Sequence, residues 1–205
     1  MTRLPMFPLG GVHFPFSVIP LRVFEPRYLQ MLDDVATADG RFGVVLIERG
    51  FEVGGGDVRF NVGTLAEVRA VSDLEEGHKA VLSAGLQRIR IDHWLPDDPY
   101  PVAEVDLIGE QPAGEHGLEL LVEATRAMHR LLAMASELGA DTGNFVPNMG
   151  DDPVVGSYHL AQMIPIGSLD AQRLLEEDAA EVRLQRIIEH LNDEIELIRL
   201  RLAEG

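Results

Sequence analysis

The hydrophobic pattern of the chain changes period near its middle. Up to about residue 110, short apolar runs at Val18–Leu21, Phe42–Ile47, Gly63–Val71, Ala80–Leu82 and Arg88–Trp94 are separated by Gly, Pro and Asp, the punctuation of a β-rich region. Two stretches alternate with period two. In TLAEVRAV, Ala66, Val68 and Ala70 oppose Glu67 and Arg69, and in PVAEVDLI, Ala103, Val105 and Leu107 oppose Glu104 and Asp106, as half-buried strands require. One helix is inserted among the strands. Pro26 suits a first helical position, and Tyr28, Leu29, Met31, Leu32 and Val35 recur at helical spacing until Gly40 offers a stop.

Beyond residue 115 the strand signals vanish and helical spacing takes over. Leu118, Leu121, Val122, Thr125, Met128, His129 and Leu132 predict a first helix. Asp152 before Pro153 predicts an N-cap, opening a second helix to about Ile164, and Ser168 is expected to cap a short third through Leu175. The last helix, from near Asp178, places Leu184, Ile188, Leu191, Ile195, Ile198 and Leu202 at alternating steps of four and three. That seam suits packing within a bundle, with self-association as the sharper alternative. The expected organisation is therefore α+β, with a β-rich subdomain over 1–110 and a helical bundle over 115–205.

Charge narrows the function classes. The chain of 205 residues carries 34 Asp and Glu against 17 Lys and Arg, a net −17. Both halves are acidic, which argues against phosphate-backbone binding, because that affinity comes from Lys and Arg displacing counterions. No cysteine is present, which excludes disulfides, thiolate nucleophiles and Cys-ligated zinc. The N-terminus is too short and too broken by Pro and Gly for a signal segment, and no apolar run reaches a membrane span, so the expected compartment is the cytoplasm.

Catalytic motifs fail in turn. The one lysine, Lys79, follows no P-loop and cannot form a Ser–Lys dyad with a nearby serine in the required setting. Ser83 lacks the glycine that a nucleophile elbow needs at Val81. Seven scattered histidines form no compact metal spacing. The glycine cluster Gly54–Asp57 reads as a hairpin loop, because strand-like VRFNVGTL follows it and no helix N-terminus is there to meet an anion. No catalytic residue, cofactor or metal is expected.

Several segments carry a family resemblance: LPMFPLGGVHFPFSVIPLRVFEPRYLQML, DGRFGVVLI, VGTLAEV, GLQRIRI and PYPVAEV, then DDPVVGSYHLAQMIPIGSLDAQRLLEE and RLQRIIEHLNDEIELI. In this order they resemble the N-terminal substrate-binding domain of the Lon protease, in its stand-alone form. The resemblance implies a PUA-like β-barrel with one helix, followed by a helical bundle, without the ATPase and Ser–Lys protease modules of full Lon proteases. It also implies a non-catalytic protein whose partners are unfolded or flexible polypeptide segments. The candidate contacts are aromatic and Met residues in Pro- and Gly-rich surroundings, Phe14, Phe16, Tyr100, Phe145 and Met149. The alternatives are RNA binding through Arg59, Arg69, Arg88 and Arg90, and docking of a Lon-like protease or a second copy on the last helix. Within IPLRVFEPRYLQML, Arg22, Glu25 and Arg27 are expected to form a brace. Glu25 would accept N–H bonds at the helix start and pair with a guanidinium.

Overall fold

The computed structural model describes residues 2–49, 58–139 and 149–204. It divides into two compact units, Met1–Gly109 and Glu110–Gly205.

The first unit is one mixed sheet of six strands with a helix. The strands are β1 (Thr2–Leu9), β2 (Val18–Val23), β3 (Arg41–Arg49), β4 (Val58–Asp73), β5 (Lys79–Trp94) and β6 (Val102–Ile108), and the helix is α1 (Pro26–Thr37). Their order is β2-β5-β4-β3-β1-β6, with β5 also paired to β6. Strand β5 makes this possible by dividing its length: residues 79–84 pair with β2 and residues 88–94 with β6. Pairing therefore runs from β5 through β6, β1, β3 and β4 and returns to β5, with β2 attached outside that circuit.

Sequence pattern missed β1, because Pro5 and Pro8 look like breakers. The strand tolerates them by changing partners midway. Thr2–Pro5 pair antiparallel with β6, and Met6–Leu9 pair parallel with β3, so each proline lies in a half with a single neighbour. The runs read as separate strands at Ala80–Leu82 and Arg88–Trp94 are one strand, β5.

Both faces of the central strands are buried, which is why β3 reads as continuous Phe42–Leu46 instead of alternating. On one face Phe7, Leu9, Ile19, Val23, Phe42 and Val44 pack with Tyr28, Met31, Leu32 and Val35 of α1. On the other, Leu4, Met6, Val45, Leu65, Ile89, Ile91, Ala103 and Val105 form a second core. Each such side chain contributes on the order of 1.5–3 kcal/mol when fully buried. The expected alternation holds at Ala103 and Val105 and fails at Ala70, which is exposed beyond a register shift between Val68 and Ala70.

The second unit contains α2 (Gly117–Glu137), α3 (Pro153–Met163), α4 (Ser168–Glu176) and α5 (Ala180–Glu204), with α2, α3 and α5 in mutual contact. Asp152 caps α3, its Oδ1 accepting from the Val154 and Val155 amides at 2.8 and 3.4 Å. Gly167 takes the N-cap of α4 instead of Ser168, which is its first helical residue. The buried seam of α5 is Leu184, Ile187, Leu191, Ile195 and Ile198, one step away from the expected Ile188. At the start of α5 sits a buried cation. Arg183 donates from Nε to Ser157 Oγ at 2.8 Å and from Nη1 to the Glu177 carbonyl at 2.6 Å, and it lies 3.8 Å from the Tyr158 ring centroid. Glu110 completes the group, accepting from the Tyr158 hydroxyl at 2.8 Å and standing 3.9 Å from Arg183 Nη2. A guanidinium this deep is tolerated because Nε and Nη1 donate to oxygens, the Glu110 carboxylate offsets its charge, and its face meets an aromatic ring.

Candidate polypeptide-binding site

The segment between β1 and β2 carries two phenylalanines, Phe14 and Phe16, and is pinned by hydrogen bonds to the sheet and within itself. Thr64 donates from Oγ1 to the His13 carbonyl at 2.6 Å, Ser17 from Oγ to the Phe14 carbonyl at 2.6 Å, and the Phe16 amide to the Gly85 carbonyl at 2.9 Å. Gly85 must be glycine here, since a Cβ would run into the Phe14 carbonyl oxygen. Phe14 is driven inward and is 1 % exposed, whereas Phe16 is 44 % exposed. Phe16 also has φ of 60°, a left-handed conformation that is strained for a bulky side chain.

From Phe16 the chain enters β2, which shows an apolar face to solvent. Val18, Pro20 and Arg22 are exposed and share one side, while Ile19 and Val23 point into the core. Opposite Pro20 lies Leu82, which in turn pairs with Ala70, and both are exposed. Val18 is 64 % exposed and Phe24, just past the strand, 45 %. A cleft of about 310 Å³ opens beside this strand, walled by Phe7, Leu9, Pro20, Leu21, Phe24 and Tyr28 with His13, Arg22 and Glu25 among them. Phe7 and Tyr28 stack at 4.2 Å and 18°, which stiffens its floor.

The charged groups of IPLRVFEPRYLQML depart from the expected brace. Glu25 is the N-cap residue of α1, yet its carboxylate accepts no helix N–H. Its main-chain carbonyl accepts from the Tyr28 and Leu29 amides instead, at 3.0 Å each. The carboxylate turns to Arg27, Oε2 to Nε 3.1 Å, with both side chains largely buried. Arg22 does not join them; its Nη2 meets His78 Nδ1 at 3.3 Å, and the His78 ring lies 5.8 Å from that of Phe24.

Of the residues singled out for polypeptide contact, Phe16 alone among the described ones is exposed, at 44 %. Phe14 is a core anchor and cannot make that contact. Tyr100 packs against the first core and donates its hydroxyl to Asp34 Oδ2 at 2.7 Å; burial, then that hydrogen bond, pushes its pKa up to about 12. Met149 is buried in the second unit, and Phe145 lies outside the described residues, as does the Gly54–Asp57 loop. Phe24, Val18 and Leu82 were missed. For Val18 and Phe24 the signal was present in VIPLRVF, where both alternating faces are largely apolar although one is wet.

The arginines proposed for RNA do not assemble a free basic surface. Arg59 pairs with Asp97 at 2.8 Å and stacks on Trp94, Arg69 pairs with Glu67 at 2.6 Å, Arg88 is buried, and Arg90 is exposed. Lys79 is held by Asp73 at 2.9 Å, whose hydrogen bond and charge raise its pKa. Among the described residues no group of three or more His, Asp or Glu could hold a metal, and no helix is long and apolar enough to cross a membrane.

Residues 3–193 match the family of the ATP-dependent protease La (LON) substrate-binding domain. The chain belongs to this family. As a LON substrate-binding domain it is 28% identical over 201 residues to Lon protease 2 of Herpetosiphon aurantiacus, covering 97% of this chain and 24% of that protein. It is 25% identical over 206 residues to the Lon protease of Brevibacillus choshinensis, covering 99% and 26%. The chain thus spans about a quarter of the length of these relatives. Among solved structures, the Lon N-terminal domain protein from Xanthomonas campestris superposes with a TM-score of 0.69 at 27% identity, over 92% of this chain and 98% of that one. The N-terminal domain of Mycobacterium avium complex Lon protease gives 0.70 at 17%, over 94% and 99%, a likeness of fold.

Proposed function

We propose that this LON substrate-binding domain recognises other polypeptides by taking their exposed apolar segments onto the outer face of β2 and into the cleft beside it. The carrying observation is Phe16, an aromatic side chain turned to solvent at the cost of a strained backbone. Backbone strain of this kind clusters at functional sites, where the surrounding structure holds it in place. Val18, Pro20, Phe24 and Leu82 extend the same apolar surface, larger and more continuous than singly scattered exposed residues. No covalent chemistry belongs to this reading, which is one of recognition, as a holdase or as an adaptor to proteolysis. The return of strand pairing to β5 supports the finer description of the first unit as a PUA-like barrel, and the second unit serves as a separate helical domain. Titrating the chain into a fluorescein-labelled, chemically unfolded reporter protein tests the proposal. Saturable binding in the micromolar range that native reporter does not show is expected; none at high micromolar concentration overturns it.

Leu197 and Leu200, both exposed on α5, favour a second reading in which that helix docks on a partner or a second copy. Sedimentation decides the self-association version, which a monomer at high concentration would remove.

A further inference from the structure

Arg22 stands out among the charges around the β2 surface because neighbouring basic side chains are paired with carboxylates and it is not. Glu25 is paired with Arg27 at 3.1 Å, Asp73 with Lys79 at 2.9 Å, and Glu67 with Arg69 at 2.6 Å. Among the described residues the side chain of Arg22 makes one hydrogen bond, to a ring nitrogen of His78. At that contact the guanidinium meets an imidazole nitrogen and not a carboxylate. Arg22 is exposed, lines the cleft, and lies between exposed Pro20 and exposed Phe24. A chain of net charge −17 thus keeps, in the middle of its apolar contact surface, a cation to which no carboxylate is bonded among the described residues.

We propose that Arg22 makes the site selective for apolar segments carrying an acidic side chain, Asp or Glu, within a residue or two of the apolar anchor. This rests on the polypeptide-binding reading above and deepens it. Charge complementarity supports it: elsewhere the protein's field repels an acidic segment, so its productive encounter is confined to this point. Six consecutive residues, Pro20 to Glu25, line the cleft. The bound segment therefore runs along the strand, and its carboxylate comes from a side chain and not from a chain end.

The test uses fluorescein-labelled dodecapeptides, acetylated and amidated at their ends, with one apolar core flanked by Glu, Gln or Lys. Fluorescence anisotropy is measured at low and at raised salt, and a fourth peptide with Gln flanks and a free C-terminal carboxylate separates the two sources of that group. The Glu peptide is expected to bind about fivefold tighter than the Gln peptide at low salt, with the ratio shrinking as salt rises. Arg22→Gln should collapse the ratio to about one, Arg22→Lys should keep part of it, and Arg22→Glu should turn the preference toward the Lys peptide. Trp94 fluorescence verifies that each variant is folded. Equal affinities for Glu and Gln peptides, a preference that survives Arg22→Gln, or a gain confined to the free C-terminus would each overturn the inference while leaving apolar binding intact. Failure of all four peptides to bind would instead remove the reading beneath it.

Discussion

Two regions of this chain leave apolar side chains in water, and they are built differently. On α2, Leu118 and Val122 are exposed, 53 % in the first case, beside a groove of about 270 Å³ that Met149 and His129 help to line. Around β2, the exposed residues come from a loop, two strands and a helix entrance. The α2 stripe follows from one relaxed helix whose buried face is turned the other way. The β2 surface needs a strained Phe16, a pinned loop, and a glycine at position 85. Exposure by itself distinguishes nothing here; what separates the two is how much structure is committed to keeping the exposed groups in place.

That contrast can be broken at its anchor first. Phe14→Ala should destabilise the first unit by about 3–5 kcal/mol, read from urea unfolding of Trp94 fluorescence, the one tryptophan of the chain. A loss under about 1 kcal/mol would mean that the loop is not held by its buried ring. Next come the exposed groups themselves. Phe24→Ser combined with Leu82→Ser should weaken binding of the unfolded reporter about tenfold, whereas Leu118→Ser with Val122→Ser should leave it unchanged. Equal losses for the two pairs would erase the distinction between the regions.

Phe16→Gly has a smaller effect and opposite signs in two measurements. Relief of the left-handed backbone should gain about 1–2 kcal/mol, offset by about 0.5–1 for the added freedom of the unfolded chain. The variant should therefore melt slightly higher and bind the reporter more weakly. A lower melting temperature would show that the ring is there for packing.

The weakest effect is a pH dependence behind β2, where Tyr100 backs the same core. Its pKa is raised to about 12 from about 10 in an unfolded chain. Between these values the unfolded state binds fewer protons than the native one, so stability falls as pH rises. The contribution is whole below pH 10 and lost through pH 12, and Tyr100→Phe should flatten that decline in the Trp94 unfolding signal.

Much of this architecture was legible in the sequence, for reasons that also explain the failures. Helix α1 announced itself because Pro26 and four buried positions at helical spacing agree. The face of α2 was misread: Leu118, Val122 and His129 outweighed Ala124 and Ala127, yet the alanines are buried, since small side chains serve close helix packing while adding little to a hydrophobic pattern. Strand β5 looked like two because Ser83 and Gly85 interrupt it, and both are buried under the pinned loop. Exposure, which the contact role expected of both phenylalanines requires, holds at Phe16 and fails at Phe14, two residues away in the same HFPFS. Neighbouring aromatics in one composition look alike until backbone geometry assigns one inward and the other outward. Arg22 was grouped with Glu25 by proximity along the chain, a criterion that cannot see His78 arriving from across the sheet.

Because the pairing circuit through β5, β6, β1, β3 and β4 closes without β2, the strand proposed to meet the partner is a lodger on the sheet. Ile19 and Val23 tie it down from below, and its register is set by β5 alone. Evolution can therefore rewrite Val18, Pro20, Arg22 and Phe24 as a cassette, trying new clientele while the remainder of the sheet stays shut. A library confined to those four positions should yield folded proteins of altered taste far more often than one drawn from β3.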